Sequence, residues 1–172
     1  MPPHQQAGRP TQTVLIQKIN ITFGQTGCSY DTLFGKYLAG ATVYSIEDPY
    51  IRVRHQIENF VRLCELIVKK SNNQGRPAQI KLTTSTESPA QEEEVKSSLQ
   101  TIKLSLMEHN ILFDYGFSST LHDRSIEVNN GIMIRLGRGL DYFQKANSNC
   151  CIGYHDMDFR PCMETIIEIY KI

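Results

Sequence analysis

Two segments of the chain carry apolar residues every three or four positions, the spacing of a helix that buries one face. The first segment, 57–68, predicts an amphipathic helix that ends near Lys70. The second helix begins at Ser88 and Pro89, which are typical of an N-cap and a first helical residue, and continues to about Asn110. The apolar face of each helix must pack against another apolar layer of the fold.

Elsewhere along the chain, apolar residues alternate with polar ones, which predicts that this layer is a sheet. The predicted strands are 13–23, 42–47, 78–84, 111–117, 121–128 and 132–136. The first strand changes parity near Gln17 or Lys18, which predicts a β-bulge. A short helix follows that strand and ends before Gly40, and residues 165–172 fit either a strand or a helix.

The order of these elements predicts an α/β fold with a mixed sheet and helices packed on its faces. The length of 172 residues suits one hydrophobic core. We therefore expect one domain over residues 13–172, preceded by a flexible tail at 1–12 that is rich in Pro and Gln.

Charge, apolar run length and cysteine content limit the classes of function that the chain can have. Lys and Arg number 18 and so do Asp and Glu, so a polyanionic partner would have to be recognised by a local cluster of basic residues. Apolar runs are far shorter than the roughly 18 to 20 residues of a membrane span. No secretory signal is expected, because residues 1–12 contain no apolar stretch of the kind that such a signal requires. Five cysteines without a CxxC pair favour a reducing, cytoplasmic location. No cofactor is predicted.

The predicted hairpin places His122, Arg124 and Arg135 near one another. A two-residue turn within 129–131 would place Arg135 opposite Ile126 or Arg124, and either register puts it beside His122. Neighbouring arginines repel by up to about 1 kcal/mol unless an anion lies between them. An oxyanion site is therefore predicted, with ordinary ion pairs as the alternative. A three-residue turn would put Arg135 on the other face.

A second basic cluster precedes the first long helix. Asp48 and Pro49 are predicted as its N-cap and first helical residue. Arg52, Arg54 and His55 then oppose the positive end of the helix dipole, unless they attract an anion. Anion binding and plain solvation are the two interpretations of this cluster.

Two further segments were candidates for binding. Gly137 and Gly139 flank Arg138 and permit a ligand to approach the backbone, and Lys145 follows shortly after. The Cys, His and Asp residues of 150–162 carry metal-ligand atoms, but their spacing matches no usual zinc site. No metal is predicted.

Several short blocks resemble the C-terminal domain of the MIT-domain-containing proteins. The blocks are 29–34, 46–52, 122–124, 129–131, 137–143 and 158–162. They extend, in order, over nearly the whole chain from about Thr13. The resemblance implies a phospholipase-D-like fold, a homodimer, and binding of acidic phospholipids, phosphoinositides included, at membranes where ESCRT-III drives abscission in cytokinesis.

The resemblance also bears on partners. Family members carry an N-terminal MIT domain that engages ESCRT-III tails, and residues 1–172 show no such segment. ESCRT-III is therefore expected as a partner only if an MIT domain is present in the full-length protein. We expect peripheral membrane association, and nucleic acid is an alternative ligand for the same surface.

Catalysis is a separate question. Phospholipase D enzymes use two copies of a His-x-Lys-x4-Asp motif, and the resemblance aligns His122, Arg124 and Asn129 with a single copy. Arg124 can still hold phosphoryl oxygens, but Asn129 supplies no carboxylate. We predict a domain without turnover. The alternatives are a phosphodiesterase or nuclease that acts through His122 in a dimer, and a dimeric protein-interaction scaffold.

The predicted site follows from both lines of reasoning. Arg124 and Arg135 hold a headgroup phosphate from the sheet, and further residues extend the positive surface. Its predicted phosphate- or lipid-binding residues are His122, Arg124, Asn129, Arg135, Arg138, Arg52, Arg54, His55 and Lys145, with Asp48 and Tyr50 shaping the site. The acids are expected elsewhere, among them Glu87 and the glutamates at 92–94.

Overall fold

The computed structural model describes residues 13–172 and is built on one seven-stranded sheet. The strands are β1 (Val14–Ile21), β2 (Val43–Glu47), β3 (Ala78–Thr84), β4 (Ile111–Phe117), β5 (Ser125–Val128), β6 (Ile132–Leu136) and β7 (Thr165–Lys171). Their order is β1-β7-β6-β5-β2-β3-β4. β2, β3 and β4 run parallel, and the other neighbours are antiparallel. The predicted α/β fold with a mixed sheet is confirmed. The predicted tail, 1–12, lies outside the described residues.

Three α-helices connect the strands. They are α1 (Tyr30–Phe34), α2 (Arg54–Lys70) and α3 (Pro89–Met107), and two short 3-10 helices cover Gly35–Leu38 and Met157–Phe159. The predicted start of α3 is confirmed, because the Ser88 hydroxyl accepts a hydrogen bond of 3.1 Å from the Gln91 N–H.

A continuous row of buried apolar side chains crosses the sheet, each one the partner of the next on the neighbouring strand. The row is Ile169, Ile134, Ile126, Ile46 and Leu82. On the same side, the ring of Phe60 in α2 lies 5.5 Å from that of Phe113 in β4. Phe34 of α1 and Leu99 of α3 join the same core. The helices therefore cover this face of the sheet.

The opposite face of the sheet is polar. The row next to the apolar one, again of cross-strand partners, is Lys18, Glu168, Arg135, Ser125 and Glu47. Because side chains alternate along each strand, these groups point away from the helices. Within residues 13–172 no α-helix packs on this row. Helices were expected on both faces of the sheet, but they cover only one.

The start of α2 differs from the prediction. The helix begins at Arg54, with Val53 as N-cap, so the assignment of Asp48 and Pro49 to its first positions was wrong. The side-chain oxygen of Gln56 accepts hydrogen bonds from the N–H groups of the two residues before the helix, at 3.0 and 3.3 Å. A glutamine inside the first turn thus performs the capping that was assigned to an aspartate.

The two ends of the chain form neighbouring strands. The register of β1 against β7 shifts between Leu15 and Gln17, so the predicted bulge exists and lies at Ile16, just before the predicted position. Residues 165–171 form a strand, which decides between the two alternatives. β7 inserts between β1 and β6, a pairing that depends on long-range contacts.

Replacing Ser88 with Ala removes the N-cap of α3. We expect a loss of about 1 kcal/mol in the free energy of unfolding, measured by urea denaturation. Ser97→Ala, at an exposed position inside the same helix, is the matched control and should leave stability unchanged or slightly higher. Equal effects of the two substitutions would contradict the assigned cap.

Candidate functional site

A groove on the polar face of the sheet holds three of the predicted site residues. It has a volume of about 500 Å³, and we call it the sheet groove. Its charged lining residues and histidine are Lys18, Glu47, His122, Asp123, Arg124, Glu127, Arg135 and Glu168. His122, Arg124 and Arg135 therefore line the same groove.

The hairpin reaches this arrangement by another register. The loop 129–131 has three residues, and its glycine has a φ of +88°, which suits a three-residue hairpin loop. Ser125 is the strand partner of Arg135. The predicted pairing of Arg135 with Ile126 or Arg124 was wrong. Arg135 projects from the polar face of β6, while Arg124 lies just before β5 begins.

Arg124 is held by contacts within the protein. Its Nη1 donates to the carbonyl oxygen of Gly137 at 2.8 Å, and its guanidinium carbon lies 4.8 Å from the ring centre of Tyr50. Arg52 stacks on the same ring at 4.9 Å. The Nε of Arg124 is buried and has no hydrogen-bond partner among residues 13–172. Tyr50 thus lies in cation–π contact with two arginines and restricts both side chains.

The charge of the sheet groove disfavours a strongly anionic ligand. Four carboxylates line it, from Glu47, Asp123, Glu127 and Glu168, against the cations of Lys18, Arg124 and Arg135. Partly exposed charges of both signs at this spacing largely cancel beyond a few ångströms. The basic residues predicted here come together, but their surroundings are mixed in sign.

Asn129 has a structural role. Its side-chain oxygen accepts hydrogen bonds from the N–H groups of Thr42 and Val43, at 2.9 and 3.1 Å, and its amide donates to the Thr42 hydroxyl at 2.7 Å. The residue lies at the turn, whereas His122 precedes the other end of β5. Asn129 therefore joins the hairpin to β2 and does not orient the His122 ring.

Asp48 is the most deeply buried carboxylate of the region, with 1% of its surface exposed. Its two oxygens accept hydrogen bonds from the N–H groups of Tyr50 and Leu140, both at 2.9 Å. Gly139 has a φ of +67°, and a Cβ there would lie 2.4 Å from the carboxylate. Burial raises the pKa of Asp48, and these two hydrogen bonds oppose the rise. The carboxylate serves this long-range contact, which explains why it caps no helix.

Arg52 is also used within the protein. Its side chain is 13% exposed and pairs with Glu87 at 3.0 Å, while its Nε donates to the carbonyl oxygens of Pro49 and Ser85 at 2.9 and 3.0 Å. The expectation that Glu87 lies away from the basic residues was wrong. Arg52 holds the β2–α2 connection against the segment that precedes α3.

Three basic residues of α2, Arg54, His55 and Arg62, line a second groove. It has a volume of about 460 Å³, lies between that helix and residues 141–160, and we call it the basic groove. Its lining residues are Arg54, His55, Glu58, Asn59, Arg62, Asp141, Phe143, Gln144, Lys145, Ala146, Tyr154 and Arg160. Arg54 pairs with Glu58 at 3.1 Å, and the His55 Nε2 lies 3.1 Å from the Asp141 carboxylate. Arg62 and Lys145 form no ion pair within residues 13–172.

Arg160 forms one wall of the basic groove, and the sequence analysis did not select it. Its guanidinium donates to the carbonyl oxygens of Gly153, Gln144 and Tyr154 at 2.6, 3.0 and 3.1 Å. Burial lowers the pKa of Arg160, and the positive charge of Arg62 lowers it further. Arginine remains protonated at neutral pH, so the groove keeps a fixed cation.

Arg62 was missed although the sequence carries a signal for it. Arg54, Glu58 and Arg62 follow one another at four-residue spacing and share one face of α2.

Lys145 and Arg138 line a depression of about 440 Å³ that adjoins the groove, together with His55. His122, Arg124 and Arg135 thus line the sheet groove, whereas Arg54, His55, Arg138 and Lys145 lie beside α2.

Neither a metal-binding cluster nor a membrane-spanning helix is found in the described residues. From residue 13 onward, no group of three or more His, Cys, Asp or Glu side chains is arranged to hold a metal ion. None of the helices in that range is long and apolar enough to span a membrane.

A family model and a curated relative, both matched by sequence, agree on the family. The model of a family described as a phospholipase D-like domain at the C-terminus of MIT matches residues 27–171. MIT domain-containing protein 1 of Mus musculus is 43% identical over 155 residues, which cover 90% of this chain and 61% of the relative. The chain thus spans less than two thirds of that relative's length. A crystal structure of phosphatidylserine synthase from Haemophilus influenzae Rd KW20 is similar with a TM-score of 0.47 and 8% identity, over 94% of this chain and 36% of that chain.

The raised pKa of Asp48 predicts how stability depends on pH. The folded state binds the Asp48 proton more tightly than the unfolded chain does, so the resulting stabilisation is complete below the unfolded pKa and is lost as pH rises through the folded one. The free energy of unfolding of the wild type minus that of Asp48→Asn should therefore decrease as pH rises through that window. Urea denaturation at a series of pH values measures both. Asp123→Asn, at an exposed site, is the control. A difference that grows with pH would show that the two backbone hydrogen bonds outweigh burial.

Proposed function

Because the chain belongs to the family of phospholipase D-like domains at the C-terminus of MIT proteins, we propose that it binds acidic phospholipid headgroups, phosphoinositides included, without turnover. The observation that carries the proposal is the basic groove. Arg62 and Lys145 line it without a paired acid in the described chain, beside the fixed guanidinium of Arg160.

The basic groove suits a headgroup better than the sheet groove does. Its cations are those of Arg54, Arg62, Lys145 and Arg160, and its acids are Glu58 and Asp141. Both acids already have a basic partner. Each exposed basic side chain near an anionic membrane contributes about 1 kcal/mol, so this excess supports reversible, salt-sensitive binding.

The sheet groove supports the proposal that the domain has no turnover. His122 is its only histidine, and the ring forms no hydrogen bond with a side chain of the described residues. A phosphodiesterase of this family's fold would need a second histidine to protonate the leaving group. A dimer would have to supply it.

Family resemblance extends the proposal to the whole protein. A homodimer, peripheral association with membranes and a role in cytokinesis are proposed on that basis, and recruitment by ESCRT-III depends on an MIT domain in the full-length protein. Nucleic acid could compete for the basic groove, since it carries the same phosphate chemistry.

Vesicle flotation tests the lipid proposal. Reversing Arg62 and Lys145 together to Glu should weaken binding to vesicles that contain phosphatidylserine or a phosphoinositide by at least about thirtyfold, since each side chain contributes about 1 kcal/mol. Lys81→Glu with Lys103→Glu makes the same change in net charge away from the groove and should have little effect. Arg135→Glu tests the sheet groove in parallel. A loss caused by Arg135→Glu alone would move the lipid site to the sheet.

A turnover assay tests the absence of catalysis. Neither a phospholipid nor a nucleic-acid phosphodiester should be cleaved by the wild type faster than by His122→Ala, with product release followed at micromolar enzyme. The reason is that no side chain of the described residues forms a hydrogen bond with the His122 ring, and no second histidine lines the groove. Cleavage that disappears in His122→Ala would overturn this part of the proposal.

A further inference from the structure

Two large apolar side chains at loop tips are almost fully accessible. Phe23 is 69% exposed and Ile152 is 85% exposed. Single exposed apolar residues are common on soluble proteins, so exposure alone says little about function. Their position relative to the basic residues is what distinguishes these two.

Phe23 lies beside the unpaired cations. Together with Arg138 and Lys145 it lines the depression that adjoins the basic groove. Its loop is fixed at the base, because the Gly24 N–H donates to the Cys162 carbonyl oxygen at 2.8 Å. The aromatic ring is therefore presented on a constrained turn next to two basic side chains.

Ile152 lies in the loop that precedes Tyr154, and both Tyr154 and Arg160 line the basic groove. The next residue, Gly153, has a φ of +92°, and a Cβ there would lie 2.8 Å from the Phe159 carbonyl oxygen. Arg160 donates to the Gly153 carbonyl oxygen at 2.6 Å and to that of Gln144 at 3.0 Å. Arg160 thus links the tip that carries Ile152 to the segment that continues into Lys145.

We propose that Phe23 and Ile152 insert into the interfacial layer of an acidic bilayer while the basic groove contacts its headgroups. The inference rests on the proposed function and adds the mode of binding. Apolar side chains that flank a basic surface match a membrane interface, where anionic headgroups overlie hydrocarbon. A protein partner would be met by a continuous apolar patch, whereas Phe23 lies beside Arg138 and Lys145, and Ile152 belongs to a loop held by Arg160.

The chain contains no tryptophan, so a single introduced indole reports its own environment. Phe23→Trp and Ile152→Trp should each show a blue-shifted emission with phosphatidylserine vesicles, and quenching by lipids brominated in the acyl chain. Leu104→Trp is the matched control, because Leu104 is 57% exposed on α3, outside the residues that line the basic groove. Its emission should not change.

Binding strength gives a second measurement that needs no indole. Phe23→Ser with Ile152→Ser should weaken vesicle binding about tenfold, equivalent to about 1.4 kcal/mol, and Leu104→Ser should not. At about 1 M salt, where the Debye length is about 3 Å, the wild type should retain more binding than the double variant. Circular dichroism confirms that each variant is folded.

The outcomes separate this inference from the function on which it rests. Insertion would be overturned if the wild type binds vesicles and is released completely by salt, while the emission of Phe23→Trp and of Ile152→Trp does not shift. Headgroup binding would then remain in place. An equal shift for Leu104→Trp would also overturn insertion. No binding of the wild type to acidic vesicles at low salt would overturn the proposed function itself.

Discussion

The buried carboxylate of Asp48 is the contact on which the arrangement of both grooves depends. It accepts two backbone hydrogen bonds, one from its own loop and one from Leu140, far along the chain. Gly139 has no side chain where a Cβ would meet this carboxylate, so the segment 137–142 lies directly against the end of β2. A buried carboxylate without such donors would cost several kcal/mol, which makes the two loops interdependent.

Segment 137–142 then determines where the functional side chains lie. Its Gly137 carbonyl anchors Arg124 on the sheet side, and its Asp141 contacts His55 on the α2 side. One short segment therefore borders two grooves of different charge. Two of the blocks that carry the family resemblance, 46–52 and 137–143, therefore contact each other through this carboxylate. Arg62 and Lys145, which carry the proposed binding, lie outside those blocks.

Much of the fold could be predicted because it follows from local periodicity. The apolar stripe of α2, the cap of α3 and the hairpin all depend on residues close in sequence. The register of the hairpin could not be predicted, since its turn sequence permits loops of two or three residues. The start of α2 was mispredicted because Asp48 has the local signature of an N-cap, while its carboxylate bonds to Leu140. The basic groove was found only in part, because Arg160 is positioned by the backbone carbonyls of an irregular segment, 144–154, which has no helical or strand periodicity to reveal it.

A chain with a formal net charge of zero can still bind an acidic surface if its charges are separated by more than a Debye length. Carboxylates line the sheet groove, whereas the unpaired cations lie beside α2. At physiological salt the Debye length is about 8 Å, so a membrane in contact with the basic groove is attracted mainly by the nearest charges. The attraction is therefore set by a few side chains and their orientation. Apolar tips beside those cations would then hold the domain in that orientation, which a long-range attraction between charges cannot do alone.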